Sequence, residues 1–191
     1  GYHTLGFGSG VAGASFLPTQ LAIFGFGSTG SATGVTNLVN SSGVIAADVS
    51  AVGTARNDLS AAGYGRDKGI FRGGYTNTSV SMTNLVNSSG VVGSDVTGVG
   101  TGVTSGIGSS YGDDLAIFAY GNNGSVTNEK NLVSNSGVVA STTSGAGTAR
   151  YDCRGSEYGG DKAIIYGGRA GSTYYNLSNL ISNQGVIASN T

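Results

Sequence analysis

Four copies of one phrase constrain this chain more than any other feature. Asn37 opens NLVNSSGVIA, Asn84 NLVNSSGVVG, Asn131 NLVSNSGVVA and Asn179 NLISNQGVIA. Each copy is a short apolar run, a four-residue polar turn closing on Gly, and a second apolar run, which predicts two short strands joined by a tight hairpin. The phase extends beyond the phrase. Ile23, Ile70, Ile117 and Ile164 recur every 47 residues, whereas Gly43, Gly90, Gly137 and Gly185 are spaced 47, 47 and 48, so one residue is inserted ahead of the last hairpin. Tyr64, Tyr111 and Tyr158 share a phase, as do Asp67, Asp114 and Asp161, with Leu17 and Gln20 in those places in the first unit. The expected organisation is a single repeat domain over 1–191, in approximate repeats 1–47, 48–94, 95–141 and 142–191, the opening one the most divergent.

Within residues 148–187 the unit reads as a weakly alternating segment, TARYDCRGSEY, a turn at Gly159–Asp161, and a short apolar strand, Lys162–Tyr166, that ends in Gly167–Gly168. A polar loop and the Asn179 hairpin follow. That makes about four short strands per unit and no helical stripe. Apolar runs of three or four residues suit strands covered on both faces. A four-stranded unit of this length, with its faces buried by neighbours, is a propeller blade. The expected fold class is therefore all-β, a small β-propeller of four ~47-residue blades. Two alternatives stand beside it: half of an eight-bladed ring completed by a second chain, and an open β-solenoid. The end phase meets the starting phase, which favours ring closure. Thirty-six glycines against one proline would suit a disordered linker, but 38% hydrophobic residues in regular runs do not.

A resemblance sharpens the expectation. The apolar strand followed by Gly73–Gly74 and Gly167–Gly168, with Arg56 and Arg150 seventeen residues before the pair, resembles the kelch repeat. The order of parts is similar too: Arg-bearing first strand, apolar strand, glycine pair, variable loop, closing hairpin. In the other units the pair becomes Phe26–Gly27 and Tyr120–Gly121, and the Arg becomes Ser9 and Val103. The Trp of a kelch hairpin is missing; Val44, Val91, Val138 and Val186 stand near its place. The Gly-, Ser-, Thr- and Asn-rich wording also resembles repeats in virion and tail-appendage proteins of tailed phages, especially those of cyanobacteria.

Charge and composition exclude several function classes. Nine basic and ten acidic residues, spread thinly, form no stripe able to neutralise phosphates, so no nucleic-acid partner is expected. No apolar run spans a bilayer and the first twenty residues lack a signal-peptide pattern, so a soluble chain with no membrane partner is expected. Cys153 has no second cysteine to pair with, and His3 no second histidine. Neither a zinc or copper site nor a Ser-His-Asp triad can be assembled from these, and no cofactor or enzymatic activity is expected. Asp113–Asp114 is the only adjacent carboxylate pair, and the phase of Asp114 with Asp67 and Asp161 points to a turn role. LGFGSGVAG, from Leu5, has no Lys-Ser/Thr and no helix to open, so it is not a phosphate loop. The Asn-x-Ser/Thr triplets at Asn40, Asn77, Asn87, Asn123 and Asn176 read as turns.

What remains is a set of loop residues after the glycine pair: Tyr75, Asn122–Asn123, and Arg169 with Tyr174–Tyr175. Aromatic faces beside planar amides and guanidinium groups are what sugar rings require, the first stacking on C–H faces and the second bonding adjacent hydroxyls. Arg56 and Arg150, in phase, suit an architectural role, bonding carbonyls or Asp48 or Asp58 between blades. The expected function is a non-enzymatic structural or receptor-binding module of a virion appendage, in a multimeric assembly, whose partners are host-surface glycans or other virion proteins. A cellular lectin or kelch-type interaction scaffold, extracellular or cytoplasmic, is the alternative.

Overall fold

The computed structural model describes residues 21–191 and the backbone of one further strand at residues 3–6. Leu17, Gln20, Ser9 and the side chain of His3 lie outside the described residues. All regular secondary structure described is β. In chain order the strands are β1 (His3–Gly6), β2 (Ala22–Ser28), β3 (Ala32–Val39), β4 (Ser60–Tyr64), β5 (Lys68–Arg72), β6 (Thr83–Val86), β7 (Ile107–Tyr111) and β8 (Leu115–Asn122). They continue as β9 (Val126–Val133), β10 (Thr143–Ser144), β11 (Arg154–Tyr158), β12 (Lys162–Tyr166), β13 (Arg169–Ala170), β14 (Thr173–Tyr174) and β15 (Ser178–Ile181).

They form four antiparallel meanders, one per repeat: sheet I is β1-β2-β3, sheet II β4-β5-β6, sheet III β7-β8-β9-β10 and sheet IV β11-β12-β15. β13 and β14 make a small hairpin of their own. None of the sheets closes on itself. The repeating Ile sits at the centre of each sheet, with Ile70 between Ala62 and Leu85, Ile117 between Ser109 and Leu132, and Ile164 between Ser156 and Leu180. Sheet I departs from this register. Ile23 faces Leu5 rather than a residue of the phase-equivalent segment 13–17, so β1 reaches its place through a longer connection.

Four regular strands per unit were expected, and only sheet III has them. In the other sheets the second half of the hairpin contributes isolated bridges, Val39 to Ile45 and Thr36 to Val49, Val86 to Val92 and Thr83 to Val96, and Ile181 to Ile187. Three steps on β3 or β6 oppose four on the outer segment. That is a bulge, which breaks the ladder while keeping the edge paired. The turn itself is built alike in all four units. Asn40 Oδ1 accepts from the backbone N–H groups of Ser42 and Val44, and Asn87 Oδ1 accepts from those of Ser89 and Val91. The Ser134 and Ser182 hydroxyls do the same in the last two units. The turn glycine has a positive φ each time, for example 77° at Gly43.

The sheets stack in sequence order through their first strands, β1 on β4, β4 on β7 and β7 on β11. Each therefore has a forward face, which carries Ile23, Ile70 or Ile117, and a rear face, which carries Phe71, Phe118 or Ile165. Three apolar clusters fill the gaps. Ile23 and Phe26 meet Leu59, Phe71, Val86 and Val92 between sheets I and II. Ala62, Tyr64 and Ile70 meet Ala116, Phe118 and Val133 between II and III. Ile107, Tyr111 and Ile117 meet Ala163, Ile165, Ile181 and Ile187 between III and IV. Burial on both faces explains the short apolar runs at the centres of these strands, Ile70–Phe71 in β5 and Leu115–Tyr120 in β8.

Candidate functional site

The loops that follow the central strands leave the array at one edge. Two left-handed residues, with φ between 58° and 112°, mark the change of direction in each unit: Gly73–Gly74 and Gly167–Gly168 open the loop directly, while Phe26–Gly27 and Tyr120–Gly121 form a bulge inside β2 and β8. The pair turns the chain back beneath the start of its own sheet. There Tyr75 bridges Asn57, Asn122 bridges Thr104 and Arg169 bridges Tyr151. Kelch-like wording placed an Arg in the first strand; Arg56 and Arg150 instead precede β4 and β11, in this bridging segment.

Of the candidate ligand residues, the structure brings Arg169 and Tyr174 together. They are a cross-strand pair in the β13–β14 hairpin, so their side chains emerge on one face. Tyr174 is 78% exposed, the most exposed of the large apolar side chains described. Arg169 Nε donates to Asp152 Oδ2 at 2.8 Å, and its guanidinium lies 4.6 Å from the Tyr151 ring centroid. The hydrogen bond to Asp152 raises the pKa of Arg169 further. Asp152 shares its phase and its left-handed backbone with Asp58, whereas Tyr151 has no counterpart in the other units. Tyr175 is half-buried, its N–H bonded to the Gly168 carbonyl. Tyr75 is exposed but sits in its own loop, between bridges to Asn57 and Ser79. Asn122 and Asn123 are taken up by their turn: Asn122 Oδ1 accepts from Gly124 N–H, Asn123 Oδ1 accepts from Ser125 N–H, and Asn123 Nδ2 donates to Glu129.

Arg56 and Arg150 are fully buried. Arg56 donates through Nε to the Gly73 carbonyl at 2.8 Å, through Nη1 to the Thr54 carbonyl at 3.0 Å and through Nη2 to Asn84 Oδ1 at 2.7 Å. Arg150 repeats this with the Gly167 carbonyl, the Thr148 carbonyl and Asn179 Oδ1. The expected carboxylate partners, Asp48 and Asp58, are not used. Asp48 is bonded to Asn37 in sheet I, and Asp58 lies in a left-handed turn, while Asp95, on the outer segment of sheet II, comes within 3.9 Å of Arg56. Burial lowers the Arg56 pKa to about 10, which leaves it charged at neutral pH.

The first Asn of the repeated phrase ties the hairpin together. Asn37, Asn84, Asn131 and Asn179 each donate through Nδ2 to the carbonyl nine residues on and to the side chain eleven residues on, which is Asp48, Asp95, Thr142 or Asn190. Its recurrence in the phrase was the available signal. The turn aspartates act between units through their backbone: the Asp114 carbonyl accepts from Gly65 N–H, and the Asp161 carbonyl from Gly112 N–H, both at 2.7 Å. Their carboxylates accept from Asn135 and Asn183 of the same unit's hairpin turn, while Asp67 lies 4.0 Å from Lys68.

Chemistry beyond binding finds little material here. Among the described residues no group of three His, Cys, Asp or Glu is placed to hold a metal ion. Cys153 is buried and its thiol is pushed up to about 11, chiefly by desolvation, so no reactive thiolate forms at neutral pH. A water-sized void between sheets II and III is lined by Ser60, Arg72, Phe118, Glu129 and Asn131, and the buried Arg72 Nε has no hydrogen-bond partner there. Among the described residues no helix is long and apolar enough to cross a membrane. No protein-family model matches the sequence, and no curated protein matches it.

Proposed function

We propose that the four sheets are kelch-like propeller blades and that the chain is a non-enzymatic binding and structural module of a virion appendage, of the tail or neck fibre type. Its ligand-facing edge carries the loops after the central strands. The observation that carries the reading is the cluster formed by Arg169 and the exposed Tyr174 on the β13–β14 hairpin with Tyr151 and Asp152 of the segment it bridges. It offers an aromatic face, a fixed guanidinium and a carboxylate on a rigid support, the groups that recognise adjacent sugar hydroxyls and C–H faces. The one-residue insertion falls in this loop, which makes the cluster particular to the last unit.

The test is a glycan array with the domain displayed multivalently, since single sites of this size bind weakly and avidity does the work. Binding to a defined sugar, lost in Tyr174→Ala and in Arg169→Ala, supports glycan recognition at this hairpin. Silence across the array at high valency removes the sugar reading and leaves a protein of the same assembly as the partner.

A further inference from the structure

Three times within the chain, the forward face of one sheet is covered by the rear face of the next. Among the described residues, equivalent positions on the rear of sheet I and the front of sheet IV are exposed. On the rear of sheet I, Ile45 is 60% exposed, whereas its equivalents Val92 and Ile187, which meet the preceding sheet, are 7% and 5% exposed. On the front of sheet IV, Tyr166 is 56% and Leu180 41% exposed, although the residue at the phase of Tyr166 in sheet II, Arg72, is 4% exposed. Tyr158 is exposed where Tyr64 and Tyr111 are buried.

The turns repeat the pattern. A side-chain carbon added at Gly90 would strike Leu38 of the preceding sheet, at Gly137 it would meet Tyr64, and at Gly185 it would meet Leu132 and Tyr111. At Gly43 no described residue lies within 4 Å. Conversely, Gly65 and Gly112 lie against the carbonyls of Asn135 and Asn183 in the next unit's hairpin turn, and Gly159 has nothing within 4 Å.

A second periodicity says which surface fits. Buried Arg–aromatic pairs alternate with a period of two units: Arg56 of sheet II lies over Phe26, and Arg150 of sheet IV over Tyr120. The contact between sheets II and III is built the other way, with Arg72 reaching forward over Phe118 at 5.8 Å and Gly73 packed beside the Val103 carbonyl. Two units on, Tyr166 and Gly167 stand at the phase of Arg72 and Gly73; two units back, Phe24 stands at the phase of Phe118. In its glycine pair, Gly167–Gly168, and its buried Arg150, unit IV repeats unit II, with Gly73–Gly74 and Arg56, and not units I and III, so the complement of its forward face is a rear face like that of sheet III, whose Phe118 is matched in phase by Phe24 of sheet I.

We propose that the forward face of sheet IV docks on the rear face of sheet I of a second copy of this chain, head to tail, in a contact equivalent to that between sheets II and III. Tyr166 packs on Phe24 of the next copy, and Leu180 and Tyr158 close over its Gly43 turn. The contact joins two different faces, so two copies close into a ring of eight sheets if the stacking rotation allows, and otherwise the association extends.

The experiment is light scattering and sedimentation of the 191-residue chain up to about 0.1 mM, ten times the ~10 µM dissociation constant of a weak interface. Two variants each spoil one face at an exposed position, Tyr166→Asp and Ile45→Asp. Circular dichroism checks their fold, with Leu180→Lys as the second forward-face variant. The wild type is expected at twice the chain mass or more, and each variant alone as a monomer. Mixing the two variants leaves one sound face on each partner and restores a one-to-one dimer. A monomeric wild type over the whole range overturns the proposal, as does a folded single-face variant that still self-associates, or a mixture that stays monomeric.

Discussion

The Arg56 guanidinium stacks 4.3 Å from the centroid of the Phe26 ring, across the boundary between sheets I and II, and both side chains are buried. Phe26 reaches that position from a left-handed backbone, φ 61°. The ring caps a charge whose three hydrogen bonds are all made inside its own unit, so the pair joins a polar clamp in one sheet to the apolar contact with its neighbour. Replacing Arg56 by Met is expected to cost about 3 kcal/mol or more, because it orphans the Gly73 and Thr54 carbonyls and Asn84 Oδ1. A double-mutant cycle with Phe26→Leu, read by urea unfolding, should return a coupling of about 0.5–2 kcal/mol. Additive single losses would show that the stack contributes nothing of its own.

Asn84 and Asn131 hold equivalent hairpins, but only Asn84 also accepts from a buried guanidinium. Asn84→Ala is therefore expected to destabilise by roughly 1–3 kcal/mol more than Asn131→Ala, the difference being the cost of an unpaired charge-assisted bond. Equal losses in denaturant titrations would place the whole effect in the outer segment.

Gly168 combines a φ of 95° with a crowded site, where an added carbon would stand 2.5 Å from Cys153 Sγ and 2.7 Å from the Tyr151 carbonyl. Gly168→Val should abolish cooperative folding of the last unit, seen as loss of the thermal transition. Gly171 has a φ of 58° but open surroundings, so Gly171→Ala is expected to cost only about 1 kcal/mol of backbone strain.

The Asp95 carboxyl is partly desolvated, which raises its pKa, but hydrogen bonds from Thr54 and Asn84, with Arg56 nearby, together hold it below the ordinary value of 3.8. A depressed folded pKa means stability that is present above the unfolded value and is lost as pH falls through the folded one. The fourth unit carries Asn190 in this place, bonded to Thr148 and Asn179. Asp95→Asn should therefore be well tolerated at neutral pH and should flatten the fall in melting temperature below about pH 4. An acid limb that stays as steep as in the wild type would assign it to other carboxylates.

The hairpins, the central apolar strands and the phase of the units could be read from the sequence because each depends on local chemistry. A turn of Asn or Ser, two polar residues and Gly needs no distant partner, and Ile23, Ile70, Ile117 and Ile164 announce sheet centres by spacing alone. The Arg169–Tyr174 pair was half legible: the residue types stood out, but Tyr151 and Asp152 lie about twenty residues away in sequence and only the bridge between the two segments brings them in. Asn122 and Asn123 looked available and are not, because an amide in a tight loop meets its own backbone first.

By itself the sequence determined the repeat, the all-β class and the turn geometry, since a 47-residue period and left-handed glycines act within one unit. Only the tertiary structure decided that the outer strand is broken by a bulge, that β1 pairs out of phase, and which charges lie buried between sheets. The reason is that burial belongs to pairs of faces. Tyr64, Tyr111 and Tyr158 are the same letter at the same phase, and what separates them is whether a following sheet covers them.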